Sequence, residues 1–111
     1  MKQLVSLGAW GALRIDSRDK PIAIFKHSVT CVTSLAVLRT LLEAEEQGVF
    51  NEPIHLLVTQ DHPDVSDAIT HDLKLPHETP QVILMKHGVA VYSETHYSII
   101  PEVIATQFSF L

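Results

Sequence analysis

The sequence holds a single cysteine, Cys31. No disulfide can form within the chain, and one unpaired thiol suits a reducing compartment. Glycine is scarce, with four residues in all, and there is no internal repeat, low-complexity tract or linker. Basic residues are few. Eight Lys and Arg stand against 13 Asp and Glu, for a formal charge of −5. The cations are scattered, so nucleic acid is not expected as a partner. No apolar run reaches the roughly 18 residues of a membrane span, so no membrane partner is expected either. Metal-ligand spacing is missing as well: there is no Cys-x2-Cys and no helical His-x3-His. The nearest arrangement, His27-x3-Cys31, offers two ligands where a structural zinc takes four. His62, His71, His87 and His96 are expected on the surface or in a hairpin, and no metal site is expected.

What remains is an ordinary globular composition. The 111 residues are 46% hydrophobic and 19% charged. That length fits one domain, residues 1–111, and can bury a core without crosslinks. Met1 to Asp16 is mildly apolar, but Arg14 and Asp16 interrupt it and no convincing small-residue cleavage site follows. We read it as part of the fold and expect a cytoplasmic protein.

The elements come in a legible order. Leu4, Leu7, Trp10 and Leu13 recur at near-helical spacing and predict a first helix over Leu4–Ile15, weakened by Gly8 and Gly11. Pro21–Phe25 is a short continuous apolar run, the mark of a strand buried on both faces. His27–Thr30 is a turn. A long helix follows from Cys31 to Gln47, with Leu35, Leu38 and Leu42 on one face and Gly48 as its stop. Ile54–Thr59 is a second buried strand. Pro63 then suits the first position of a helix striped by Val65, Ala68, Ile69 and Leu73. Pro76–Pro80 is a loop. Gln81–His87 and Val89–Thr95 are joined at Gly88, too closely for anything but an antiparallel hairpin. Ser98–Phe108 closes the chain as a helix. The order α–β–α–β–α–β–β–α is that of an α/β thioredoxin-like fold, a central mixed four-stranded sheet flanked by helices.

In that order Cys31 falls between a buried strand and the long helix. A helix N-terminus carries about half a positive charge and up to four unpaired N–H groups, and both favour a thiolate over a thiol. Lys26 and His27 precede the turn and could add positive potential, and Ser34 lies one turn along the helix, where its hydroxyl could donate to the sulfur. The bland reading stands beside this one. A lone helical cysteine is ordinarily a small buried hydrophobe. Lys26 is then simply the exposed end of a strand, and His27 and His77 hold loops by hydrogen bonds.

Three segments carry a resemblance. Phe25-Lys26-His27-Ser28-Val29-Thr30-Cys31-Val32-Thr33-Ser34 is similar to the active-site segment F-K-H-S-x-x-C-P-x-S of the monothiol bacilliredoxins. His77-Glu78-Thr79-Pro80-Gln81-Val82-Ile83-Leu84 resembles that family's H-E-S-P-Q-x-I-L. His96-Tyr97-Ser98-Ile99 resembles a third, shorter run. The matches keep their order over residues 21–100. The resemblance implies a thioredoxin fold and thiol–disulfide exchange in the oxidative stress response: removal of bacillithiol from S-thiolated client proteins. It gives Cys31 the role of attacking cysteine and Ser34 the resolving position. Lys26, His27, Thr30, His77, Thr79 and Pro80 become the substrate-binding set, with Pro80 a cis-proline and the Thr79 backbone facing an incoming chain. No bound cofactor is implied; the small thiol is a co-substrate. The sequence departs from the family at Val32, where proline is usual, and at Thr33, where isoleucine is usual.

With no second cysteine, the chemistry open to the chain is monothiol exchange. The competing reading is a non-catalytic thioredoxin-fold interaction module with an inert Cys31, since a fold alone does not imply function. The rate of Cys31 alkylation against pH separates the two. Arsenate reduction would want an arginine-rich anion site and peroxidase chemistry a more elaborate pocket; neither is seen.

Overall fold

The computed structural model describes residues 1–111. Its organising element is the strand at Ile22–His27, six consecutive buried residues. In chain order the elements are β1 (Lys2–Gln3), α1 (Leu7–Asp16), β2 (Ile22–His27), α2 (Val32–Glu46), β3 (Ile54–Val58), α3 (Pro63–Leu73), β4 (Gln81–Lys86), β5 (Val89–Thr95), a 3-10 turn at His96–Ser98 and α4 (Pro101–Ser109). The sheet order is β1-β3-β2-β4-β5. β2 pairs parallel with β3 and antiparallel with β4, which pairs antiparallel with β5.

The architecture is the expected thioredoxin-like α/β fold with one correction. The sheet has five strands rather than four, because Lys2–Gln3 pairs parallel with β3 at His55 and Leu56. This edge strand is two residues long, too short for an alternation pattern to reveal. It also displaces the start of α1, which begins at Leu7 behind Ser6, whose hydroxyl accepts from Ala9 N–H at 3.0 Å. Leu4 is buried in the core instead of opening a helix. The last helix starts at Pro101, since His96–Ser98 forms the separate 3-10 turn.

The period-2 alternation of β2 divides the interior in two. Ile22 and Ile24 point to a core with Trp10, Leu13, Val65, Ile69, Ile83 and Met85, beneath α1 and α3. Ala23 and Phe25 point to the opposite core with Val37, Leu41, Val82, Leu84 and Ile104, beneath α2 and α4. α2 lies on this second core with a face the sequence did not single out. Ser34, Val37, Leu41 and Ala44 are buried, whereas Leu35 and Leu42 are 47% and 42% exposed. The helix carries apolar residues nearly all round, and its packing against the sheet chooses between two stripes a fraction of a turn apart.

The β4–β5 turn is tight. His87 and Gly88 both have positive φ, 56° and 77°, the pair of left-handed conformations that a two-residue hairpin of matching twist requires. Ser17, buried beneath it, accepts from His87 N–H with its carbonyl at 2.6 Å and from Gly88 N–H with its hydroxyl at 3.0 Å. No helix is long and apolar enough to cross a membrane.

Candidate functional site

The parallel and antiparallel pairings of β2 bring three chain segments to one end of the sheet. β2 ends at His27, β3 ends beside it at Val58, and β4 begins there, with Gln81 opposite Lys26. The loop Ser28–Cys31, the segment Thr59–His62 and the loop Pro76–Pro80 therefore meet. Thr59 N–H donates to the His27 carbonyl at 2.9 Å. Gln60 stitches the first two segments: its Oε1 accepts from Val29 N–H at 3.2 Å, and its Nε2 donates to Ser28 Oγ at 2.6 Å and Thr30 Oγ1 at 3.4 Å.

Cys31 sits at the N-cap of α2 with extended backbone, φ −103° and ψ 117°. It is half-buried and its thiol is free. The first intrahelical bond runs from Leu35 N–H to the Cys31 carbonyl at 3.0 Å. The earlier amides of the helix are those that helix geometry leaves without an intrahelical partner. Val32, directly after the cysteine, is 80% exposed. The Thr79–Pro80 peptide is cis, and Pro80 is buried with its carbonyl accepting from His96 N–H at 3.0 Å.

Two expectations are corrected. Ser34 does not turn its hydroxyl to the sulfur. It is fully buried, shares a 2.7 Å hydrogen bond with His27 Nδ1 and accepts from Ser28 N–H at 3.0 Å. The hydroxyl braces the turn that presents Cys31, because His27 projects from β2 onto the α2 face. Its ring lies 5.8 Å from that of Phe25. Burial lowers the His27 pKa, with a hydrogen bond to the backbone at Ser34 opposing, so the ring is neutral at pH 7.

Lys26 is the second correction. It is not an exposed strand end; it is 1% exposed. Alternation sends it to the face opposite His27, under α3. There its Nζ lies 2.7 Å from His77 Nδ1 and donates to Thr70 Oγ1 at 3.3 Å. Burial depresses its pKa from 10.5 to about 8, with nearby Asp67 pulling the other way. His77 is lowered too, by burial and then by the Lys26 charge, against Asp67 and Glu78. An ammonium has donors only, so the charged Lys26 donates and His77 Nδ1 accepts. His77 is then the neutral tautomer with its proton on Nε2.

The structure thus gathers the nominated residues into two connected groups. His27, Ser34, Thr30 and Cys31 form the α2 side; Lys26, His77, Thr79 and Pro80 form the α3 and cis-proline side. Sequence reasoning missed Gln60, Ser66 and Thr70. A single polar residue after a strand carries no periodic signal, and the two on α3 read only as its solvent face. The chain shows no cluster of three or more metal-ligating side chains.

A cysteine at the N-cap of the helix that follows a central strand, with a cis-proline just before the neighbouring antiparallel strand, is the arrangement of the thioredoxin class, and the comparisons agree. A solved structure of a candidate oxidoreductase with a thioredoxin fold superposes with a TM-score of 0.79 at 24% identity, covering 95% of this chain and 90% of the other. Thioredoxin from Fasciola hepatica superposes at 0.74 and 10% identity over 99% and 98% of the two chains. That from Malassezia sympodialis superposes at 0.76 and 10% identity over 98% and 90%. Within that class the family model of the monothiol bacilliredoxin BrxC matches residues 2–104. The chain belongs to the monothiol bacilliredoxin family, which supports a redox function. No curated protein matches it.

Proposed function

We propose that the protein is a monothiol redoxin that removes a low-molecular-weight thiol, bacillithiol or one like it, from S-thiolated client proteins through Cys31. The observation that carries this reading is a free, half-buried Cys31 at the N-cap of α2, in a chain with no second cysteine to resolve a disulfide internally. The Cys31 thiolate attacks the small-thiol sulfur of the mixed disulfide. A bond forms between Cys31 Sγ and that sulfur, and the client S–S bond breaks. The client sulfur leaves as a thiolate and takes a proton from solvent. One disulfide is exchanged for another with no net oxidation. A second small thiol, or a partner redoxin, attacks the Cys31 adduct and restores the thiolate.

Ser34 in the resolving position keeps the reaction monothiol, and its hydroxyl bonds to His27 and Ser28 N–H hold the turn on which Cys31 stands. Thr79, before the cis-proline, offers its backbone to the client chain. Mixing the reduced protein with an S-bacillithiolated client and weighing both by intact mass spectrometry tests the reading. The expected result is a one-thiol mass increment on the redoxin, absent in Cys31→Ala, with the client returned to its unmodified mass. A client that keeps its modification, with Cys31 unadducted, overturns it and leaves the interaction module.

A further inference from the structure

A cavity of about 210 Å³ lies on the α3 side of the site, lined by Thr59, Gln60, Pro63, Ser66, Asp67 and His77. Four features single it out. Five of its six lining residues carry polar or charged side chains. Its wall is shared with the reactive loop, since Gln60 bonds Ser28, Val29 and Thr30, the residue before Cys31. His77 belongs to the loop that ends at the cis Thr79–Pro80 bond. Behind His77 stands the buried Lys26, whose ammonium has no role in the exchange step itself. Burying an ammonium is expensive, and here its shortest bond is spent on orienting one exposed imidazole.

The cavity is smaller than the roughly 300–1,000 Å³ of pockets that enclose a drug-sized ligand. It therefore suits the polar head of a small molecule and not a stretch of folded client.

We infer that this cavity is the subsite for the small-thiol half of the mixed disulfide. Lys26 is a positioning residue there, fixing His77 as an Nε2–H donor to an oxygen of that thiol. The inference rests on the exchange reading and adds the substrate chemistry: a thiol bearing oxygen acceptors for His77 and Gln60, and an amino group for the Asp67 carboxylate. The charged groups around His77 are Lys26 behind it and Asp67 and Glu78 beside it. At neutral pH Lys26 supplies the proton to Nδ1, and that leaves Nε2–H as the group the ring can offer.

The test compares two caps on one client: bacillithiol, and the methylthio group, which has no polar atoms to place. The readout is the ratio of kcat/KM for the first cap over the second. Lys26→Met and His77→Phe should each lower that ratio about tenfold, the worth of roughly one hydrogen bond. His77→Gln, which keeps an N–H near the Nε2 position, should recover part of it. Nitrogen NMR of the His77 ring should show the Nε2–H tautomer in the wild type and a tautomer mixture in Lys26→Met. Reduced bacillithiol should shift the resonances of Ser66, Asp67 and His77. An unchanged ratio in both variants, or no shift at those three residues, overturns the subsite. If the wild type removes neither cap, the exchange reading fails, and the NMR titration still decides whether the cavity binds the thiol.

Discussion

Replacing Ser34 by alanine distinguishes a brace from a sulfur donor. The Ser34 hydroxyl is fully buried and is bonded to His27 Nδ1 at 2.7 Å and Ser28 N–H at 3.0 Å. Alanine strands both partners in a place water does not reach. A buried polar group left unpaired costs about 1–3 kcal/mol. The two together cost about 2–4 kcal/mol once some relaxation of the turn is allowed. Against a typical domain stability of about 5–15 kcal/mol that is a large share. At a domain size near 100 residues each kcal/mol moves Tm by about 4 °C or more, so a drop of about 10 °C follows. Urea or thermal denaturation of Ser34→Ala beside the wild type measures it. A loss below about 0.5 kcal/mol, the ordinary surface value, would refute the brace and return the hydroxyl to the sulfur.

Three further outcomes are expected. Val32→Pro should stabilise the protein by about 0.5–1 kcal/mol: position 32 opens α2, its side chain is 80% exposed, and Cys31 already has the extended backbone (φ −103°, ψ 117°) that a residue before proline needs; a lower denaturation midpoint contradicts this. Leu41→Ala should cost about 2–5 kcal/mol, while Leu35→Ala stays within about 1 kcal/mol, and equal losses would show that the buried face of α2 is misassigned. Lys26 carries a pKa depressed from 10.5 to about 8, so between those values the unfolded chain holds a proton that the folded one has released, and stability rises with pH. The burden below pH 8 is of order 3 kcal/mol. The stability advantage of Lys26→Met over the wild type should therefore shrink as pH climbs through that window, and a pH-independent difference contradicts the burial of a charged lysine.

Much of this was legible in the sequence, for local reasons. β2 shows as an unbroken apolar run, α3 announces itself with Pro63 at its first turn, and Gly88 leaves room only for a hairpin. Cys31 at a helix start follows from the strand before it and the apolar periodicity after it. The gaps are non-local. Lys26 reads as a strand end because its partner His77 lies 51 residues away, on a loop no periodicity locates. Ser34 reads as a neighbour of the sulfur because helix spacing puts it one turn on, and only the path of β2 shows that His27 takes its hydroxyl first. β1 is too short to signal, and α2 offers two apolar stripes whose choice belongs to the sheet beneath it.

The central claim is that Cys31 carries a small thiol in its working cycle. Intact-mass analysis of the protein isolated from oxidatively stressed cells that make it, with alkylation to block exchange, tests this most directly. The account predicts a single low-molecular-weight thiol adduct, mapped to Cys31 and released by reduction. Recovery of Cys31 wholly as the free thiol, while client proteins in the same cells remain S-thiolated, would contradict it.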